Sequence, residues 1–189
     1  MEIKDEQKLL AMIAKEPEKG FRYLMAKYRD AVYWHIRRLV VSHMDAQDAT
    51  QETFVRVFRS ISDFKGKGSF RSWVFRIATN EALRILSRWQ NDRLSLDDAP
   101  VELSKMMADD YVDYSDLETV KLQNAILSLP AKQQLAFNLR YYNELGYDEI
   151  AEIIGSTADS AKQNYHVAKE KIIKYMNSNN SVSYTHLRA

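Results

Sequence analysis

The chain of 189 residues contains no cysteine, which excludes disulfides and thiolate metal sites and fits a reducing compartment. Five glycines and three prolines leave little strand-and-turn punctuation, so long helices are expected. No apolar run approaches the ~18 residues of a membrane span. The N-terminus, MEIKDEQKLLAMIAKEPEKG, is charged and lacks the apolar core of a signal peptide. Four scattered histidines offer no ligand spacing, so neither a metal nor a cofactor is expected. There is no paired-carboxylate, nucleophile or phosphate-loop pattern, so an enzyme is not expected. These absences point to a cytoplasmic binding protein without direct membrane insertion.

A net charge of +1 conceals a strong pattern. Residues 1–95 carry 18 basic and 12 acidic side chains, residues 96–118 carry one and eight, and residues 119–189 carry eight and six. A basic segment, an acidic spacer and a second mildly basic segment suggest two binding lobes on a linker; clustering by chance on a solvated surface reads the same way.

Periodicity assigns a short helix to residues 5–15, ended by Pro17 and Gly20, with Leu9, Leu10 and Ile13 inward. A longer helix over residues 21–41 has Phe21, Leu24, Tyr28, Val32 and Ile36 near one face. The next is capped by Asp45, with Asp48 in its first turn, and runs to Ile61 with Phe54, Phe58 and Ile61 inward. From Gln90 to Asp116 periodicity collapses into an acidic stretch broken by Pro100. A second helical lobe spans residues 117–176, punctuated at Pro130 and Gly146, and a polar tail over 177–189 reads as disordered. The fold class is therefore all-α, with domains over 1–94 and 117–176, a linker over 95–116 and the tail.

The segment SFRSWVFRIATNEALRILSR, Ser69 to Arg88, carries the most chemistry. Ser69 is a good N-cap. Phe70, Val74, Ile77, Ala78 and Ile85 recur at core spacing, whereas Trp73, Arg76, Asn80, Arg84 and Ser87 step round another face. Arginine neutralises phosphate, tryptophan stacks on a base and asparagine reads a base edge, so this stripe suits a nucleic-acid strand. A solvated basic face is the plainer reading.

In the second lobe, YDEIAEIIG places Ile150, Ala151 and Ile154 on the apolar face of a short helix, and Gly155 can take the left-handed conformation that ends it. Either Ser156 or Thr157 caps the next helix, where Ala161, Tyr165 and Ala168 pack back and Asp159, Lys162, Gln163, His166 and Lys169 face out. This is the layout of a helix-turn-helix with a recognition helix for the major groove; an αα-hairpin in a bundle is the alternative.

Together these features resemble the extracytoplasmic-function sigma factors of the bacterial sigma-70 family. DAQDATQETFVRVFRSI, Asp45 to Ile61, is similar to the family's core-polymerase-binding helix in region two. FKGKGSFRSWVFRIATNEA, Phe64 to Ala82, resembles its promoter-melting and minus-ten-reading segment, and Leu127 to Ile172 resembles region four. The resemblance implies a promoter-specificity subunit whose partners are core RNA polymerase (through the largest subunit's clamp coiled coil and the flap), promoter DNA and an anti-sigma factor. It assigns polymerase docking to Asp48, Gln51, Glu52 and Val55. It assigns the minus-ten element to Lys65, Gly66, Ser69, Phe70, Trp73, Arg76, Asn80 and Arg84, with a flipped base held near the loop and Asn80. Trp73 also reads as part-buried core. The minus-thirty-five element falls to Ser160, Lys162, Gln163, His166 and Lys169. It also suggests that the acidic linker runs near basic polymerase channels, although a plain solvated linker fits as well.

Two departures stand out. Asn164 and Val167 occupy recognition-helix positions where the family often carries arginine, and Lys67 replaces a common acidic residue in the loop. The rival readings are a stand-alone helix-turn-helix regulator, which predicts tight duplex binding without polymerase, and a helical adaptor that binds only protein.

Overall fold

A computed structural model describes residues 2–40, 42–64, 66, 68–94 and 117–178. The described residues form eight α-helices and one 3-10 turn, with no strand, as the all-α reading expects. They fall into two compact units, within Met1–Asp110 and Tyr111–Ala189. The acidic linker 95–116, tail residues 179–189, Lys65 and Lys67 lie outside the described residues.

The N-terminal unit packs α1 (Glu2–Lys15), α2 (Pro17–Arg37), α3 (His43–Ser60), the 3-10 turn (Ile61–Asp63) and α4 (Phe70–Leu94). Pro17 starts α2 instead of stopping α1 at a distance, because proline's missing N–H is no loss in a first turn. Gly20 likewise lies inside α2 and does not break the chain. It is buried where α1 crosses: a Cβ there would come within 2.6 Å of the Ile13 backbone. The glycine is a packing requirement that reads as punctuation in sequence.

Leu24, Tyr28, Val32 and Ile36 recur every fourth residue and form α2's buried face. On α3 the cap is Ser42, whose Oγ accepts from the Asp45 N–H at 3.3 Å, so Asp45 is displaced into the first turn. Phe58, expected inward, is 55% exposed, in T-shaped contact with Phe21 at a ring-centroid distance of 5.1 Å. Phe70, Val74, Phe75, Ala78, Ala82 and Ile85 of α4 complete the core. Two of its polar groups are matched: Thr79 donates to the Phe75 carbonyl (2.8 Å) and accepts from Nε2 of buried His35 (2.9 Å).

The C-terminal unit packs α5 (Leu117–Leu127), α6 (Ala131–Tyr141), α7 (Tyr147–Ile154) and α8 (Ala158–Ser178). Its core joins Ala125, Ile126, Leu129, Phe137, Ala168 and Ile172, flanked by Leu122 and Tyr165. In the same unit Asn138 is wholly buried, and neither polar atom of its amide has a hydrogen-bond partner among the described residues. Helix α8 extends through Ser178, two residues beyond the expected end.

Candidate nucleic-acid and polymerase interfaces

The loop between the 3-10 turn and α4 contains Gly66 and Gly68 at φ +70° and +79°, a region open to glycine at no steric cost. Ser69 ends the loop and caps α4, its Oγ accepting from the Ser72 N–H at 3.0 Å. The exposed stripe of α4 then begins. Arg76 and Asn80 are exposed and have no hydrogen-bond or ion-pair partner among the described residues. Trp73 is half-buried, leaning on Phe64 (5.6 Å) and Phe70 (5.5 Å), so it is at once part of the hydrophobic packing and part of the surface.

Two residues expected on this surface are placed otherwise. The Phe70 side chain is fully buried, edge-on to Tyr28 at 6.0 Å, and cannot touch a nucleic acid: it opens α4 on the face turned to α2. Arg84 is exposed in part, but its guanidinium is committed to Glu81, with Nη2 to Oε2 at 2.7 Å and Nε to Oε2 at 2.9 Å. Glu81 is 2% exposed, and its other oxygen takes Arg56 Nε of α3 at 2.7 Å. A carboxylate taken out of water needs such partners. Arg84 is therefore a counter-ion first, and less of a free cation than its spacing suggests.

Arg56 also meets Glu52 at 3.2 Å, so an alternating chain of charge runs Glu52, Arg56, Glu81, Arg84 from α3 to α4. Beside it a groove of about 330 Å³ is lined by Asp45, Asp48, Ala49 and Glu52 of α3 and by Arg84, Ile85 and Arg88 of α4. Asp48 and Gln51 are exposed, and Glu52 and Val55 are half-buried. Met44 and Phe58, 75% and 55% exposed, lie seven residues either side of Gln51 and share its helix face. Sequence reading missed both. Phe58 follows core Phe54 at helical spacing, yet it stays 55% exposed beside Phe21.

In the C-terminal unit the helix-turn-helix is assembled by short-range bonds. Gly146 N–H donates to Glu149 at the start of α7 (2.8 Å). Gly155 ends α7 at φ +64°, and the Ser156 N–H returns to the Ala151 carbonyl at 2.9 Å. Of the two possible caps Thr157 serves, its Oγ1 accepting from the Ser160 N–H at 3.2 Å. Arg140 donates to the Leu145 carbonyl (2.9 Å) and lies over the Tyr147 ring, bracing the entry turn.

On α8, Ala161 and Ala168 are buried and Tyr165 is half-buried, stacked on Phe137 at 6.0 Å. Lys162, Gln163, His166, Lys169 and Asp159 are exposed. The two lysines have no ion-pair partner among the described residues. Ser160 is half-buried one turn before Asn164, whose amide reaches its hydroxyl at 3.5 Å. Of the residues assigned to this surface, Ser160 is the least available to a ligand.

Residues 24–93 match the family model for sigma-70 region 2, and residues 119–172 match that for sigma-70 region 4. The chain is 30% identical over 162 residues to the extracytoplasmic-function sigma factor SigE of Mycolicibacterium smegmatis, covering 84% of this chain and 62% of that relative's length. It is 27% identical over 179 residues to SigW of Bacillus subtilis, covering 90% of this chain and 96% of that one. The solved sigma factor RpoE of Bartonella quintana, in complex with the anti-sigma factor NepR, shares its fold with a TM-score of 0.68. That match has 21% identity and covers 85% of this chain and 99% of that one. With both sigma regions matched in order along the chain, it belongs to the extracytoplasmic-function sigma factors of the sigma-70 family.

Proposed function

We propose that the chain is a promoter-specificity subunit that joins core RNA polymerase, seats α8 on upstream duplex and uses α4 to capture unpaired minus-ten bases. The observation that carries the second half of this reading is the free Arg76–Asn80 stripe beside part-exposed Trp73, directly after a loop with two left-handed glycines. Unpairing and unstacking a base costs a few kcal/mol, which an aromatic surface, a base-edge amide and a phosphate-binding guanidinium offset together. Gly66 and Ser69 let the backbone approach the captured base closely, and Lys65 adds a cation to the same loop. Phe70 supports this surface from beneath. Lys162, Gln163, His166 and Lys169 read the minus-thirty-five duplex, with phosphate contacts setting position and Gln163 supplying base-edge recognition.

The polymerase surface is the α3 face of Asp48, Gln51, Glu52 and Val55, enlarged by Met44 and Phe58. Acidic rims around exposed apolar side chains suit a basic, partly apolar coiled coil such as the clamp of the largest subunit. An anti-sigma factor is a further partner, supported by the solved relative that carries one. No helix among the described residues is long and apolar enough to cross a membrane, which supports action in the cytoplasm. The chain supplies binding and strand capture, and the polymerase supplies the chemistry.

Co-elution with core RNA polymerase on size exclusion tests the first half. The parent chain co-elutes, and Glu52→Lys, which reverses a charge at the centre of the α3 face, weakens binding by ten-fold or more. A parent chain that fails to join active core polymerase, yet binds duplex tightly alone, favours the stand-alone regulator instead.

A further inference from the structure

The first N–H groups of a helix have no partner within it. At α4 the first intrahelical bond is Trp73 N–H to the Ser69 carbonyl at 3.2 Å, and Ser72 N–H, one of the orphans before it, reaches the Ser69 hydroxyl at 3.0 Å. The orphan N–H groups of Phe70 and Arg71 are taken by one carboxylate from α1. Phe70 N–H donates to Glu6 Oε2 at 3.1 Å and Arg71 N–H to Glu6 Oε1 at 3.2 Å. Glu6 belongs to α1 and lies outside the matched region-2 residues 24–93.

The tether is anchored behind. Leu9, the next residue along this face of α1, is 1% exposed, and α1 is pressed onto α2 at the Ile13–Gly20 crossing. The loop between Phe64 and Ser69 is therefore fixed at both ends. Phe64 packs on Phe70 (5.2 Å) and Trp73, and the α4 start is held by Glu6. An acidic group at a helix N-terminus is favourable, and a bidentate one also fixes direction. A loop with two left-handed glycines has much conformational freedom to lose on binding, so fixing its ends in advance lowers that cost.

We infer that Glu6 is a positioning residue for minus-ten capture, holding the start of α4 so that the glycine loop and Trp73 are preset for an unpaired strand. The inference rests on the capture function proposed for α4. Glu6 lies on α1 and its carboxylate is bonded at the start of α4, so it is not part of the α3 face proposed for polymerase docking.

The test uses the full chain joined to core polymerase. The probe is a single-stranded oligonucleotide recovered by the parent holoenzyme from a random-sequence pool. Glu6→Ala removes both acceptors, whereas Glu6→Gln keeps the length and one acceptor. Asn80→Ala serves as the control for the capture reading. Expected are core affinities within two-fold of the parent for both Glu6 variants. Probe affinity falls about five- to ten-fold in Glu6→Ala and by an intermediate factor in Glu6→Gln. Unchanged capture by Glu6→Ala, in a holoenzyme where Asn80→Ala does impair it, overturns the role of Glu6 alone. Equal losses of core and probe binding by Glu6→Ala also overturn it, reducing Glu6 to a stability role. No dependence on Asn80, or no probe recovered by the parent, instead overturns the capture reading itself.

Discussion

The two units build the helices proposed to bind nucleic acid in opposite ways. In the C-terminal unit the helix-turn-helix is set by bonds spanning three to five residues: Gly146 to Glu149, Ser156 to Ala151, Ser160 to Thr157, Arg140 to Leu145. In the N-terminal unit α4 is held by distant residues: Glu6 at Phe70, His35 at Thr79 and Arg56 at Glu81. Long-range links such as Lys121 to Met176 and Lys171 to Gln133 do occur in the C-terminal unit, but they meet α8 in its C-terminal half, beyond the turn and the exposed Lys162–Lys169 face. A local motif can be recognised in isolation. A surface held by three other helices is sensitive to changes far from it.

The largest expected break in this contrast is Gly20→Ala. A Cβ 2.6 Å from the Ile13 backbone forces α1 off α2 and costs about 2–4 kcal/mol, since helix backbone cannot yield as a flexible side chain does. The three tryptophans, Trp34, Trp73 and Trp89, all lie in the N-terminal half, so their fluorescence follows that unit during denaturant unfolding. The midpoint falls in the tryptophan signal, while unfolding of a separately prepared segment 117–178 gives the baseline for the other unit.

A smaller effect separates paired from free cations. Lys162→Ala lowers promoter-duplex affinity of the holoenzyme several-fold and reduces the salt slope by roughly one phosphate contact. Arg76→Ala does the same for the opened strand. Arg84→Ala changes that slope little, because Glu81 already neutralises its charge. Equal slopes for Arg76→Ala and Arg84→Ala would show that Arg84 leaves Glu81 for DNA. Smallest is Asn138→Leu, which replaces an unpartnered amide by an apolar group of similar volume and raises stability by about 1 kcal/mol, read by thermal unfolding of the C-terminal unit.

The same contrast explains what was legible in sequence. The face pattern of α8 followed from spacing, since Ala161 and Ala168 pack inward and Lys162, Gln163, His166 and Lys169 remain outside as a helical period requires. On α4 spacing placed Arg76 and Asn80 at the surface but could not reveal that Arg84 answers a buried Glu81, because Arg56 completes that cluster from 25 residues away. Phe70 combined a core position with a place in the capture segment, and burial decides for the core. Gly20 read as a helix end because close helix crossing and chain reversal both select glycine. Ser42 capped α3 ahead of Asp45 because the chain is extended at Ser42, which only the backbone reveals.

On core polymerase, this chain is proposed to open promoter DNA and hold the exposed bases on α4. Permanganate mapping of unpaired thymines tests it most directly. The template is supercoiled DNA carrying a promoter selected with the parent holoenzyme, and Asn80→Ala is run beside the parent. The prediction is reactive thymines at one upstream-defined position with the parent, and at least a ten-fold weaker signal with Asn80→Ala at unchanged polymerase binding. No reactive thymines with a parent holoenzyme that binds its duplex, or equal reactivity from both chains, would contradict it.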